Sequence, residues 1–326
     1  MVFDQPLFKN ALITGCGGDV AISLSRIARN AGIFSHIMGT DISSDHPADI
    51  FFDQWEVICR ADDANYFTDL ERILSLLDID LIIPTTDREI SAFHQNGFTT
   101  HFMGIPVVMA SDEAVAAGLD KLSTVHALKN IGLDVPWTIV TSAGHPLEFP
   151  CIIKPLKGQG SKGLRIVSGI DHITPEDISD DMIWQELLGT ADQEYTSGLY
   201  RSRQGDIRCI TFQRRLSGGL TSRAILTHDE GIDNMLVQIA QKLDLTGSIN
   251  IQFRMTQDGP RVFEINPRFS STVAFRDKLG FHDFIWSVLE ILNHPLPPYK
   301  AATGQIRLYK TFEEQIIYPD SRPDHD

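Results

Sequence analysis

Apolar and polar positions follow two different periods along the first hundred or so residues. Residues 11–14 form a short apolar run. The turn Gly15-Cys16-Gly17-Gly18-Asp19 follows, and then helical spacing holds from about Val20 until Gly32 stops it. Residues 36–39, which lead to Asp41, and residues 81–83 read as further strands, with a helix near residues 66–77 between them. Residues 105–109 read as a fourth strand. Alternating strands and helices predict a parallel, doubly wound α/β sheet.

The rest of the chain has mostly strand-like spacing. Ser111-Asp112-Glu113 resembles a helix start, with helical spacing through Lys121 to Asn130. Residues 151–153 and 164–167 read as partner strands around a glycine-rich tip, and residues 182–188, 206–212, 248–253 and 262–265 as further strands. Another strand begins at Glu194. The hairpin between the last two carries the turn signal Asp258-Gly259-Pro260. Residues 231–243 form an amphipathic helix with Ile232, Met235, Leu236, Ile239, Ala240 and Leu243 on one side, and residues 284–292 form a core helix.

A hydrophobic content of 42% suffices for buried cores, and only the acidic, proline-containing residues 318–326 read as disordered. The net charge of −15 argues against a nucleic-acid or anionic-membrane binder, whose surface is basic. Cys16, Cys59, Cys151 and Cys209 form no Cys-x-x-Cys pair and read as free thiols of a reducing cytosol. No signal-peptide pattern opens the chain, and no apolar run approaches the ~20 residues of a membrane span, so a cytoplasmic location is expected.

Candidate chemistry gathers in residues 262–271, VFEINPRFSS. Glu264 and Asn266 are two apart and share a face of an extended strand, offering a carboxylate and an amide oxygen as hard donors suited to Mg²⁺. The hairpin brings Gln252 near Glu264. Arg268 keeps the same parity past Pro267, where a guanidinium can meet phosphate or carboxylate. Gly158, Gly160 and Gly163, interleaved with Ser161, make a loop whose N–H groups can approach phosphates, although no Gly-Lys-Ser/Thr opens a helix as in a P-loop. Arg214 and Arg215 at a strand end can neutralise an anion. Asp87 and Glu89 follow a strand's carboxyl end, where ligands sit in open α/β sheets, but acids at a helix start do equally well there. The turn at Gly17 and Gly18 invites a dinucleotide reading with Asp41, although Val20 stands where the third glycine belongs.

The run EINPRFSST, preceded by NIQF, resembles the metal-binding end of the ATP-grasp fold, especially the synthetase halves of the carbamoyl phosphate synthase large subunit. The resemblance implies Gln252, Glu264 and Asn266 as Mg²⁺ ligands, with Mn²⁺ as a substitute, and Arg268 against the transferred phosphate. It implies that residues 158–163 are the ATP lid and that Lys121 and Lys154 are basic groups on ATP. Backbone at Glu186, Leu187 and Leu188 would contact adenine, and Glu194 the ribose hydroxyls. The amino-terminal part would be a Rossmann-like pre-ATP-grasp domain holding the second substrate through Gly17, Gly18, Asp87 or Glu89.

The expected architecture is that domain over residues 1–110, an ATP-grasp domain of α+β character over residues 111–300, with a small lid subdomain at about 135–190, and an extension over 301–326. The expected activity is ATP-dependent joining of a small carboxylate to an amine or ammonia through an acyl phosphate, by an enzyme compatible with a homodimer. An NAD(P)-dependent oxidoreductase and a non-catalytic ATP-binding regulator are the alternatives.

Overall fold

In the computed structural model, which describes residues 1–158 and 163–311, the chain forms two compact units. The first contains residues 1–109 and 268–298, and the second residues 110–267 and 299–310.

In the first unit, strands β1 (Phe8–Thr14), β2 (Phe34–Asp41), β3 (Gln54–Val57) and β4 (Leu81–Ile83) form a parallel sheet in the order β3-β2-β1-β4. Strand alternation divides its apolar residues between two cores. Leu12, Met38 and Ile82 pack with Tyr66, Leu70 and Ile73 of the helix Tyr66–Leu76. Ala11, Ile13 and Ile37 pack on the other face with Leu24 and Ile27 of the helix Asp19–Ala31. Phe269, Val273, Phe284 and Val288 join this second core, which explains why residues 268–298 belong to the first unit and not to the grasp part.

The doubly wound expectation holds, but its strand list needs two corrections. Gln54–Val57 was missed because it is short, alternates polar and apolar residues, and holds no apolar run. The expected strand at 105–109 shrinks to β6 (Ile105–Pro106), which pairs with β5 (His101–Phe102), and a single parallel bridge joins Val107 to Ile82. Pro106 has no N–H to continue a ladder.

The second unit contains two antiparallel sheets. The smaller joins β7 (Thr138–Val140), β8 (Cys151–Pro155), β9 (Arg165–Val167) and β10 (Met182–Glu186) in the order β7-β10-β8-β9. The larger joins β11 (Glu194–Arg201), β12 (Ile207–Ser217), β13 (Leu220–Thr227), β14 (Gly247–Thr256), β15 (Gly259–Asn266) and β16 (Arg307–Tyr309) in the order β15-β14-β11-β12-β13-β16. The helix Glu230–Lys242 packs against this sheet through Ile232, Met235, Leu236, Ile239 and Ala240, the face its spacing predicts. Residues 307–309, expected in an extension, instead supply an edge strand.

The carboxyl end of β15 is held by close packing. Gly118, the last residue of the helix Asp112–Gly118, lies so near that a Cβ there would stand 2.6 Å from Pro267 Cδ and 3.2 Å from the Ile265 carbonyl. Gly118→Ala is therefore expected to lower stability by about 1–3 kcal/mol through overpacking. A urea midpoint shifted down at constant m-value checks this, and an unchanged midpoint refutes it.

Candidate active site

The hairpin β14–β15 builds one polar face. Its register sets Gln252 opposite Glu264 and Asn250 opposite Asn266, so that four oxygen-bearing side chains line up across two strands. Asn250 and Asn266 are buried, and Glu264 and Gln252 are half-buried. Among the described residues, no hydrogen bond or ion pair engages the Glu264 carboxylate. Thr196 Oγ1 donates to Asn250 Oδ1 at 2.9 Å, orienting that amide.

Beside this face stands a cluster of cations and one acid. Arg214 Nη2 donates to Gln252 Oε1 at 2.7 Å, and Arg214 Nε and Nη2 reach Glu194 Oε1 at 3.2 and 2.9 Å. Arg254 Nη2 donates to Glu194 Oε2 at 3.2 Å, and its Nη1 to the Leu188 carbonyl at 2.6 Å. Both oxygens of Glu194 are thus held by arginine, and a sugar hydroxyl reaches it only through the remaining lone pairs. Gln252 likewise has one lone pair left for a metal.

Arg215 is exposed, and the expectation that both arginines share one anion is corrected. Strand β12 does not end at the pair but runs to Ser217, and adjacent residues of a strand face opposite sides. Arg254 was missed, yet it has the parity of Gln252 and pairs across the sheet with Glu194.

Lys154 enters from β8. The residue is 6% exposed, and its ammonium lies 5.3 Å from the centre of the Phe263 ring. Burial pulls its pKa down to about 8, and the attraction of Glu264 opposes that shift. Lys121 begins the helix Lys121–Asn130, which Asp120 caps by accepting from Ser123 N, and its buried ammonium donates to the Gly158 carbonyl at 3.1 Å. Gly158 and Gly163 have φ of +126° and +74°, a region that favours glycine. Gly160 and Ser161 lie outside the described residues.

Glu186 ends β10, and its carboxylate takes the Arg261 guanidinium, with Nη2 at 2.8 Å from Oε2. Arg261 also donates to the Val135 carbonyl at 2.7 Å, and Trp137 N donates to Glu186 Oε2 at 3.2 Å. The smaller sheet is thereby tied to β15 by an ion pair that sequence reasoning missed. Leu187 is half-buried and Leu188 is buried.

The remaining expected residues lie in the first unit. Arg268 pairs with Asp87, Nη2 standing 3.1 Å from Oδ2, so each is the other's counter-charge. Glu89 is 6% exposed and receives Thr14 Oγ1 at 2.6 Å, Thr86 Oγ1 at 2.6 Å and Tyr66 Oη at 3.1 Å. Burial raises its pKa, and these three hydroxyls partly offset that. Its expected role against a substrate is corrected, because its carboxylate serves as a buried structural hub. Gly17 donates its N–H to Asp41 Oδ2 at 3.0 Å, and Gly18 caps the helix Asp19–Ala31.

Residues 179–308 match a family model described as ATP-grasp in the biosynthetic pathway with Ter operon, and residues 11–108 match the PylC-like N-terminal domain. The chain carries an ATP-grasp domain. The chain is also similar to the carbamoyl phosphate synthase large chain of Streptomyces griseus, 27% identical over an alignment of 206 residues, with 54% of this chain and 18% of that one covered. The chain therefore spans about a fifth of the length of the curated relatives it matches. In fold it is similar to N5-carboxyaminoimidazole synthetase from Staphylococcus aureus complexed with ADP, with TM-score 0.70, 16% identity, and 91% of this chain and 79% of that one covered. It is also similar to L-amino acid ligase from Bacillus licheniformis, with TM-score 0.62, 14% identity, and 86% and 73% covered.

The donor set of this ATP-grasp domain fits Mg²⁺. One carboxylate, with no hydrogen-bond or ion-pair partner among the described residues, stands among amide oxygens, and hard oxygen donors are what that ion takes.

Proposed function

We propose that the chain is an ATP-dependent ligase that converts a carboxylate into an acyl phosphate, releasing ADP, and joins it to an amine or ammonia. The observation that carries this reading is the convergence of Lys154, Arg214, Gln252, Glu264 and Asn266 on one sheet face. Lys154 and Lys121 would neutralise phosphate oxygens, and the glycine loop would lie over them. Glu264, Asn266 and the free lone pair of Gln252 would hold Mg²⁺, which supplies charge neutralisation at the transferring phosphoryl group. A carboxylate oxygen attacks the γ-phosphorus and ADP leaves. The amine nitrogen then attacks the acyl carbon, phosphate leaves, and one proton passes to solvent. No protein nucleophile is required.

In this reading Arg214 faces the reacting phosphates, Glu194 the ribose, and the backbone from Glu186 to Leu188 the adenine. Arg268 would act through its pairing with Asp87, and Gly17 and Gly18 remain the proposed contacts for the second substrate. The partners are small molecules, a homodimer is compatible with this role, and the site of action is the cytoplasm. No helix among the described residues is long and apolar enough to cross a membrane.

The test is coupled ADP release with Mg²⁺ across a panel of carboxylates and amines. Release of ADP and phosphate is expected, and AMP with pyrophosphate would overturn the reading. NADH and NADPH are expected to leave the thermal midpoint unchanged, whereas a saturable upward shift would favour an oxidoreductase.

A further inference from the structure

The sheet of the first unit carries a constellation that the ligase reading does not use. Cys16 follows β1, Asp41 ends β2, and His46 sits in the loop that follows; one potential ligand atom from each lies within 4.8 Å of the others. Cys16 Sγ and His46 Nε2 are 3.9 Å apart. Two glycines make the room. A Cβ on Gly39 would stand 2.7 Å from Cys16 Cβ, and one on Gly17 would stand 2.7 Å from His46 Cβ. Neither side chain fits its place unless those positions are bare.

The surroundings hold the donors in place. Asp41 Oδ2 accepts from Gly17 N and Oδ1 from Ser43 N at 3.2 Å, which fixes the carboxylate while leaving each oxygen a lone pair. The His46 ring meets Trp55 edge-on at 4.5 Å, and Trp55 Nε1 donates to Asp49 Oδ1 at 2.6 Å. Such outer contacts are what orient metal-binding side chains.

We propose that Cys16, Asp41 and His46 form a binding site for a borderline-soft divalent cation of the Zn²⁺ class. A thiolate, an imidazole nitrogen and a carboxylate oxygen are the mixed donors such an ion takes, and the all-oxygen preference of Mg²⁺ sets this site apart from the Glu264 cluster. Tetrahedral bonds of ordinary length put sulfur and nitrogen about 3.5 Å apart, so the pair needs to close by only a few tenths of an ångström. Ala48 N donates to His46 Nδ1 at 3.3 Å, which leaves the proton of the neutral ring on Nε2. Cation binding shifts that proton to Nδ1 at the expense of this long hydrogen bond, and releases the thiol proton to solvent. Water completes the coordination.

The test is titration of the full-length protein with Co²⁺ in a non-thiol reductant, watching for thiolate-to-cobalt charge transfer in the near ultraviolet. One equivalent is expected to bind, with the band lost on adding Zn²⁺ and unaffected by Mg²⁺. The band is expected to disappear in Cys16→Ser, to weaken at least tenfold in His46→Gln and Asp41→Asn, and to persist in Cys59→Ser and Glu264→Gln. Cys16 is fully buried, so the two half-buried positions decide the matter if Cys16→Ser does not fold. Absence of a band in the wild-type protein, or a band that His46→Gln leaves unchanged, overturns the proposal.

Discussion

Glu264→Gln is expected to remove on the order of a thousandfold from turnover while leaving the protein folded, because oriented metal contributes several kcal/mol to phosphoryl transfer. The substitution keeps the shape but replaces the only carboxylate in the hairpin's donor set with an amide. Gln252, Asn250 and Asn266 are neutral, so the set loses all its formal charge. Folding has little to lose. The carboxylate is half-buried and has no hydrogen-bond partner among the described residues, so folding loses mainly its attraction for the Lys154 ammonium, and a destabilisation of about 1 kcal/mol is expected. A secondary effect follows at Lys154. Glu264 is the strongest influence holding that ammonium charged, and its loss lets the lysine pKa fall further. Turnover and a urea unfolding curve on the same preparation check both halves. A folded variant turning over at near wild-type rate places the metal elsewhere.

The parts that were legible in sequence are those where separation along the chain translates directly into direction. Glu264 and Asn266 share a face because strands alternate, and the Asp-Gly-Pro turn then brings Gln252 across from Glu264. The same rule, applied to Asn250 and Arg254, would have extended the face to both. It failed at Arg214 and Arg215 because the strand was ended too early; adjacent arginines within a ladder cannot meet one anion. The doubly wound sheet was readable from its apolar runs, and Gln54–Val57 was lost because it has none.

What stayed hidden is non-local. Arg268 finds Asp87 across 181 residues, and no local pattern encodes that distance. Residues 268–298 follow the grasp strands in sequence yet complete the apolar core of the first unit, which only the packing of Phe269, Val273 and Phe284 reveals. Glu89 read as either a helix-start acid or a ligand-facing one. Its burial depends on Tyr66 and Thr14, neither of which lies near it in sequence.

Lys154→Met is expected to weaken ATP binding roughly tenfold to a hundredfold, the worth of one hydrogen bond to a charged group. The replacement is unbranched and of similar length, so it fills the space over Phe263 and removes the charge alone. The effect should depend on pH in a defined direction. Burial lowers the pKa of Lys154 to about 8, with Lys121 and Arg254 pressing it down and Glu264 and Glu194 raising it. Wild-type kcat/KM for ATP is then flat below about pH 8 and falls as pH rises through that value, because kcat/KM reports the free enzyme. In Lys154→Met the value is low and this step is missing. Stability runs the other way. The unfolded chain keeps the lysine protonated up to 10.5 while the folded chain releases the proton near 8, so wild-type stability rises with pH between those values. At pH 7 the buried charge costs about 3 kcal/mol, and the methionine protein is expected to be the more stable of the two there. Urea midpoints at pH 7 and pH 10, set beside the ATP profile, measure both signs. A wild-type KM for ATP in a folded Lys154→Met protein would remove Lys154 from the nucleotide site.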